Sequence, residues 1–190
     1  MNRWVGFVLA LVILLALHEG LHAATAGILG ELEGVGVVSL RFTGVSIPLG
    51  VEVVFRTPVE ERSGVQWALI SGTSNVVTVG LGVGLLLIGE RANRSLTGLA
   101  KVGVYYLTFL GLIVDPLNLS IGPFLYGGDA EGIAVGLGVS RYLIQGFFLI
   151  VLFVNRELVA QKLLPTYHVQ TTSFLLRPWF RLSRASRAGG

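Results

Sequence analysis

The stretch WVGFVLALVILLALHEGLHAATAGIL, residues 4–29, decides how this chain folds. Its first part, Trp4 to Leu17, is an unbroken apolar run, and the apolar character resumes after the polar group His18 to His22. A helix needs about 20 mainly apolar residues to cross a bilayer. The stretch therefore predicts a membrane-spanning helix that carries a polar cluster within it.

Three further stretches are long and apolar enough to cross a bilayer, and together with the first they predict about four spans, at 4–29, 65–89, 102–118 and 130–154. The composition agrees, because 53% of the 190 residues are hydrophobic and only 13% are charged, whereas a soluble domain carries about a quarter charged residues. We therefore expect a mostly α-helical, multi-pass integral membrane protein of the cell membrane.

The N-terminus also permits a second interpretation. Arg3, the apolar run after it and the small residues Ala23 to Ala26 resemble a secretory signal with its cleavage site. Three later spans and the resumption of apolar sequence after His22 favour a retained helix.

The segment between the first two predicted spans has a different composition. It is rich in Val and Phe, with glycine and proline in its middle. This pattern predicts a small β-hairpin, about 35–56, at the membrane face.

The chain divides into a core, 1–155, and a basic tail, 156–190. The tail segment 174–184 mixes Phe, Leu and Trp with Arg, a composition that suits the membrane interface. The net charge is +3, and basic residues beside a membrane more often meet anionic headgroups than nucleic acid. The lipid bilayer is therefore an expected partner and nucleic acid is not.

Lys and Arg are more frequent on one predicted side of the membrane, which holds the N-terminus, the segment 90–101 and the tail. The positive-inside rule places such a side in the cytoplasm. Both termini are therefore predicted to be cytoplasmic.

The sequence His18-Glu19-Gly20-Leu21-His22 fits the pattern H-E-x-x-H. Residues four apart share a helix face, so both imidazoles can bind one zinc ion, and Glu19 can take a proton from a water that the zinc activates. The alternative is a helix end whose polar side chains reach the interface. Ionisable groups inside an apolar span are costly and usually functional, which favours the metal site.

A catalytic zinc ion takes three protein ligands, and the histidines supply two. The chain has no cysteine, and its only aspartates are Asp115 and Asp129. Both lie in a segment whose prolines and glycines predict irregular backbone, which at membrane depth must be buried or line a cavity. Either aspartate is a candidate third ligand, and either could instead cap a helix.

These features resemble the site-2 protease family of intramembrane zinc metalloproteases, the M50 peptidases. In that family the first core helix carries H-E-x-x-H, and a later Asn-Leu-x-Pro-like break precedes an Asp-Gly pair whose aspartate binds zinc. Asn118-Leu119, Pro123 and Asp129 correspond to that break, and the segment 71–75 looks like the family's Gly-Pro-x-x-Asn element. A hairpin after the first helix is also a family feature, and the resemblance covers about residues 4–155.

The chain departs from the family pattern at several positions. Gly20 and Leu21 stand in the opposite order, Thr73 replaces the proline, and Asp129 precedes alanine instead of glycine after a longer gap. The family also places its N-terminus outside the cell, opposite to the orientation that the arginine distribution predicts.

The resemblance implies a zinc-dependent endopeptidase that cuts peptide bonds in or near transmembrane segments. It implies that His18, His22 and Asp129, with Asp115 as the alternative, bind Zn²⁺ and that Glu19 is the general base. Asn118 or Asn75 would hold the substrate carbonyl or the oxyanion, or would form a hydrogen bond between helices instead.

Expected partners are a transmembrane protein or peptide substrate, the lipid bilayer, and a second copy or a regulatory membrane protein. The edge of the hairpin at 51–55 can pair with an unwound substrate strand, unless the hairpin only shields the site. A catalytically silent scaffold of the same fold and a metal-handling membrane protein are the competing functions.

Three residues or pairs have weaker interpretations. Arg141 can offset the negative charge of the site or lie at the interface. Gly80 and Gly84 form a small-xxx-small pair, which predicts helix packing. His168 is expected to be solvated.

Overall fold

The computed structural model describes residues 2–42, 45–124 and 128–180. Its elements in chain order are α1 (Asn2–Ile28), β1 (Leu32–Phe42), β2 (Val45–Phe55), α2 (Val65–Leu87), α3 (Gly89–Ser95), α4 (Gly98–Ser120), α5 (Asp129–Leu137), α6 (Arg141–Leu158) and α7 (Leu164–Thr166). A π-helical turn, Val159–Leu163, joins α6 to α7. The predicted interfacial segment 174–184 is described as far as Phe180, and its remainder lies outside the described residues.

Four helical stretches of the described chain are long and apolar enough to cross a membrane: Arg3–Ile28, Val65–Leu87, Gly98–Phe124 and Arg141–Thr166. Many large apolar side chains on these helices are exposed, among them Val12, Val76 and Ile150. The predicted mostly helical chain with four candidate spans and a small antiparallel sheet is confirmed.

The hairpin lies between α1 and α2. β1 and β2 pair antiparallel, from Leu32 opposite Phe55 to Phe42 opposite Val45. The base is closed where the side chain of Thr57 donates to the carboxylate of Glu31 at 2.7 Å. The sheet begins three residues earlier than the predicted 35–56.

The helices have two distinguishable ends. Arg3, Lys101 and His168 line one cavity, so the starts of α1 and α4 lie together with the chain that follows α7, and we call this end the N-terminal face. The other end of α1 leads into the hairpin, and we call it the hairpin face. The described parts of the segments predicted to share one side therefore lie at one end of the molecule, and His168 is exposed there.

The predicted fourth span, 130–154, differs from the structure. α5 is a separate nine-residue helix that ends at Gly138, whose φ of 65° is the left-handed conformation that terminates helices. Ser140 then caps α6 by accepting a hydrogen bond from the amide of Tyr142 at 3.3 Å. The fourth candidate span is therefore Arg141–Thr166, which runs past residue 155 into the predicted tail.

The irregular backbone predicted for the segment that holds both aspartates begins later than expected, because α4 continues through Pro116 to Ser120 and only then gives way to a 3-10 turn, Gly122–Phe124. A proline has no amide hydrogen to donate to the carbonyl four residues before it, which here belongs to Leu112. The side-chain amide of Asn155 donates to that carbonyl instead, at 2.8 Å. Gln145 does the same for the carbonyl of Ser120, at 3.0 Å, so α6 satisfies backbone groups that α4 leaves open.

Close helix packing uses glycines other than the predicted pair. A Cβ atom on Gly80 or Gly84 would meet nothing within 4 Å. A Cβ atom on Gly82 would lie 2.8 Å from the backbone of Gly111. The contact between α2 and α4 therefore depends on Gly82 and Gly111. The predicted pair Gly80 and Gly84 takes no part in it.

Candidate metal centre

Three side chains that can bind metal converge between α1 and α5. Nε2 of His18 lies 3.0 Å from Nε2 of His22, and each lies 3.3 Å from a carboxylate oxygen of Asp129. One ligand atom from each residue can be chosen so that all lie within 4.8 Å of one another. Two ligands of a tetrahedral zinc ion, each about 2 Å from it, are roughly 3.3 Å apart. The three residues therefore fit a tetrahedral metal ion with one position left open.

The ring of His22 is fixed in the orientation and tautomer that metal binding needs. Its Nδ1 lies 2.7 Å from the carbonyl oxygen of Ile70, which can only accept, so Nδ1 carries the proton. Nε2 therefore presents its lone pair to the centre, where the hydroxyl of Ser74 lies 2.9 Å away. Histidine ligands of metals are commonly oriented by such a hydrogen bond from the second nitrogen.

The ring of His18 is held between the two aspartates. Its Nδ1 lies 3.2 Å from Oδ1 of Asp115, and its Nε2 faces Asp129. Asp115 is buried and accepts a hydrogen bond from the hydroxyl of Thr78. Asp115 thus lies behind the histidine, as the carboxylate does in a carboxylate–histidine–metal arrangement, and Asp129 alone of the two belongs to the converging group.

Two glycines of α5 bring Asp129 to the histidines. A Cβ atom on Gly132 would lie 2.0 Å from Oγ of Ser71, and one on Gly136 would lie 2.2 Å from the backbone nitrogen of Ala68. α5 therefore packs directly on the backbone of α2. Asp129, the first residue of α5, reaches the centre because no larger side chain holds the two helices apart.

Asn75 takes the second of the two roles expected for it, a hydrogen bond between helices. It is fully buried, and its amide donates to Oδ2 of Asp129 at 3.0 Å and to the carbonyl of Ser71 at 2.7 Å. Its side chain thus orients the carboxylate of Asp129 and does not line the cavity. Asn75 therefore positions the third candidate ligand instead of contacting substrate.

Glu19 is partly exposed and lies on the wall of two cavities. The first, about 480 Å³, extends from the metal centre to β2 and is lined there by Val51, Glu52 and Val53. The second, about 380 Å³, is a mainly apolar cleft between α1 and α4. His18, Glu19 and Asn118 line both cavities, so the carboxylate and the predicted amide lie where the two meet.

Two arginines near the hairpin face have distinct surroundings. The guanidinium of Arg62 lines the first cavity and stacks on Phe55 and Trp67, 4.9 and 4.4 Å from the ring centres. Burial lowers the pKa of Arg62, and nearby carboxylates oppose that shift. Arg141 lies apart from the metal centre and approaches Glu131 at 3.7 Å, so it does not offset the charge of the site directly.

Of the orienting residues on α2, only Asn75 was predicted as a site residue, although the sequence also carries a signal for Ser74 and Thr78. Ser71, Ser74, Asn75 and Thr78 recur at helical spacing on an otherwise apolar span. This polar stripe faces α1, α4 and α5 and contacts His22, Asp115 and Asp129. Polar groups in a lipid-facing position would be costly, so the stripe indicates a buried network.

The fold and the site together define a class: a helical protein with four candidate membrane spans and a group of two buried histidines and one partly buried carboxylate beside a glutamate. No family model, no curated protein and no solved structure matches the chain. Function therefore has to be argued from the site itself.

Proposed function

We propose that this protein is an integral membrane zinc endopeptidase that cuts peptide bonds in or near transmembrane segments. The observation that carries the proposal is the convergence of His18, His22 and Asp129 next to Glu19, on the wall of a cavity bounded by a β-strand. Four apolar helices with exposed apolar side chains support placement in the membrane.

The donor set favours zinc. Two imidazoles and one carboxylate, with no thiolate in the chain, match the His₂-carboxylate sets of catalytic zinc sites. His18, His22 and Asp129 would hold the ion, which when bound would activate water near neutral pH and polarise a carbonyl. The fixed ring of His22 and the carboxylate behind His18 hold the ligand atoms in position for it.

Glu19 and Asn118 would perform the proton and carbonyl chemistry. Glu19 takes a proton from the attacking water and later delivers it to the leaving amine. Asn118, on the same cavity wall, donates from its amide to the oxygen of the scissile carbonyl. Both roles require a substrate backbone at the junction of the two cavities.

The walls of the cavities suit an extended peptide. Within the described residues, β2 pairs with β1 along one edge and with no strand along the other, and its residues Val51 to Val53 line the cavity beside the candidate metal centre. A transmembrane helix must unwind before its backbone can be cut, and an unwound strand can pair with a sheet edge. Apolar side chains of the substrate would enter the cleft between α1 and α4, which Leu14, Leu117 and Ile121 line.

The decisive experiment compares the full-length wild type with two glutamate variants in detergent. Glu19→Gln should keep bound zinc and lose about 100-fold or more of the cleavage of a membrane-peptide substrate, which is the range for loss of a general base. Glu33→Gln is the matched control, because Glu33 is an exposed residue of β1 outside both cavities. It should keep both properties.

The other outcomes separate the competing functions. A wild type without zinc would refute the metal site. A wild type that holds zinc and cleaves no member of a substrate panel would favour the silent scaffold. Zinc that exchanges rapidly across a vesicle membrane without cleavage would favour metal handling.

A further inference from the structure

A cavity of about 840 Å³ lies away from the candidate metal centre, at the N-terminal face. Its walls are the last residues of α2, helix α3 and the end of the α6–α7 segment. Two candidate spans, Val65–Leu87 and Arg141–Thr166, end at this cavity. If the spans cross a bilayer as proposed, the cavity lies at the level of the lipid headgroups.

Most of the charged residues that line this cavity are cations. Arg91 and Arg94 are three residues apart and so share a face of α3, and Lys162 approaches from the π-helical turn. Arg91 and Lys162 pair with no carboxylate in the described chain. Arg94 contacts Glu90 at 3.3 Å, but both side chains are about four-fifths exposed, and such pairs contribute little. The lining thus has three cations and one weakly held carboxylate.

Another part of the cavity lining is apolar. Leu86, Leu87 and Pro165 line it, and Leu87 is 76% exposed. An occupant that satisfies both walls has an anionic group for the arginines and a hydrocarbon part beside Leu87. An anionic phospholipid has both.

The cavity is held open by contacts between its walls. The side-chain amide of Asn93 donates to the carbonyl of Thr166 at 2.8 Å, which fixes α3 against α7. Beneath it, Leu163 and Leu164 are buried in a cluster with Val83 and Leu86. The three cations are therefore carried by elements whose relative positions are fixed.

We propose that this cavity binds the phosphate group of an anionic phospholipid, with Arg91, Arg94 and Lys162 as the phosphate-binding residues. Phosphate recognition by arginine uses paired, charge-assisted hydrogen bonds, which the two arginines of α3 can supply together. Basic pockets between membrane helices are a recurrent site for such headgroups. The proposal rests on the membrane placement of the spans but not on the peptidase activity.

The test titrates phosphatidylglycerol into the full-length protein in detergent and counts bound lipid by native mass spectrometry. The double variant R91Q/K162Q should bind about 25-fold more weakly than wild type, since each cation near a membrane surface contributes about fivefold. The control R3Q/K101Q removes the same charge from the same face but from the neighbouring cavity, and it should change affinity about twofold at most.

Three results would overturn the proposal. These are an equal loss in both double variants, equal binding of phosphatidylcholine and phosphatidylglycerol by wild type, and binding of inorganic phosphate as tight as that of the lipid. The last result would assign the cavity to a free phosphate compound. If R91Q/K162Q does not fold, the single variant K162Q should still show the fivefold loss.

Zinc content measured on the same samples keeps this proposal separate from the proposed function. Wild type that binds phosphatidylglycerol selectively but holds no zinc would refute the peptidase and leave the lipid site standing. The reverse result would refute the lipid site alone.

Discussion

Nδ1 of His18 lies 3.2 Å from Oδ1 of Asp115, on the side of the ring that faces away from the metal centre. This relationship separates Asp129, the predicted third ligand, from Asp115, its alternative. A carboxylate that contacts the outer nitrogen of a ligand histidine orients the ring and raises its basicity. Asp129, which contacts the inner nitrogens of both histidines, is the aspartate that belongs to the candidate metal-binding group.

The first prediction compares Asp115→Asn with Asp129→Asn in zinc affinity, measured by competition with a chelator. Asp115→Asn should weaken zinc binding by about 10- to 100-fold, the usual effect of losing an orienting partner. Asp129→Asn should weaken it further, because a ligand is lost. Zinc binding that is more sensitive to the change at Asp115 would contradict the assignment.

Two of the three candidate ligands could be predicted from local sequence, whereas the third depends on packing between distant parts of the chain. The pair His18 and His22 lies within one helix, so spacing alone places both rings on one face. The position of the third candidate ligand depends on where α5 packs after α4 ends. The close packing of Gly132 and Gly136 on α2 determines that position. Nothing in the local sequence of Asp115 or Asp129 reports that packing, which is why both remained candidates.

Pro116 is a second case in which local sequence could not predict a contact with a distant residue. The proline correctly predicts a missing backbone donor, but the donor that replaces it is Asn155, which is 39 positions away in the sequence. Irregular backbone was therefore expected to begin near Pro116, where the structure still has a continuous helix. The four candidate spans, by contrast, follow from runs of apolar residues and were predictable to within a few residues, except where Gly138 separates α5 from α6.

The second prediction concerns the packing of α5. Gly136→Ala places a methyl group 2.2 Å from the backbone nitrogen of Ala68, so α5 must move away from α2 and carry Asp129 with it. We expect a loss of stability of about 1 to 3 kcal/mol and weaker zinc binding. Gly84→Ala is the control, because a Cβ atom there meets nothing within 4 Å. Thermal unfolding in detergent and zinc competition measure both effects, and equal behaviour of the two variants would argue against the packing role.

The third prediction tests the link between Asn155 and α4. Asn155→Leu leaves the carbonyl of Leu112 without a donor and should cost about 1 kcal/mol, in keeping with hydrogen bonds inside membrane proteins. Pro116→Ala restores the amide hydrogen of the helix. In the double variant the Asn155 change should therefore cost much less, a non-additivity that a double-mutant cycle in unfolding measurements detects. Strict additivity would show that the two residues act independently.

The fourth prediction tests the cleft between α1 and α4 as the part of the site that receives an apolar substrate side chain. Leu117 lines this cleft and is 43% exposed, so tryptophan can be accommodated there while narrowing the space. For substrates with a large apolar residue beside the cut bond, Leu117→Trp should reduce cleavage about tenfold or more. Cleavage of substrates with alanine at that position should be unchanged. The reason is that a change of one methylene in an apolar pocket is worth about 1 to 3 kcal/mol. The control is Val76→Trp, because Val76 is an exposed residue of α2 outside the two cavities. This variant should cut both substrates as the wild type does. Zinc content should be unchanged in both variants, and a loss at Leu117→Trp that is the same for both substrates would remove the cleft from the substrate path.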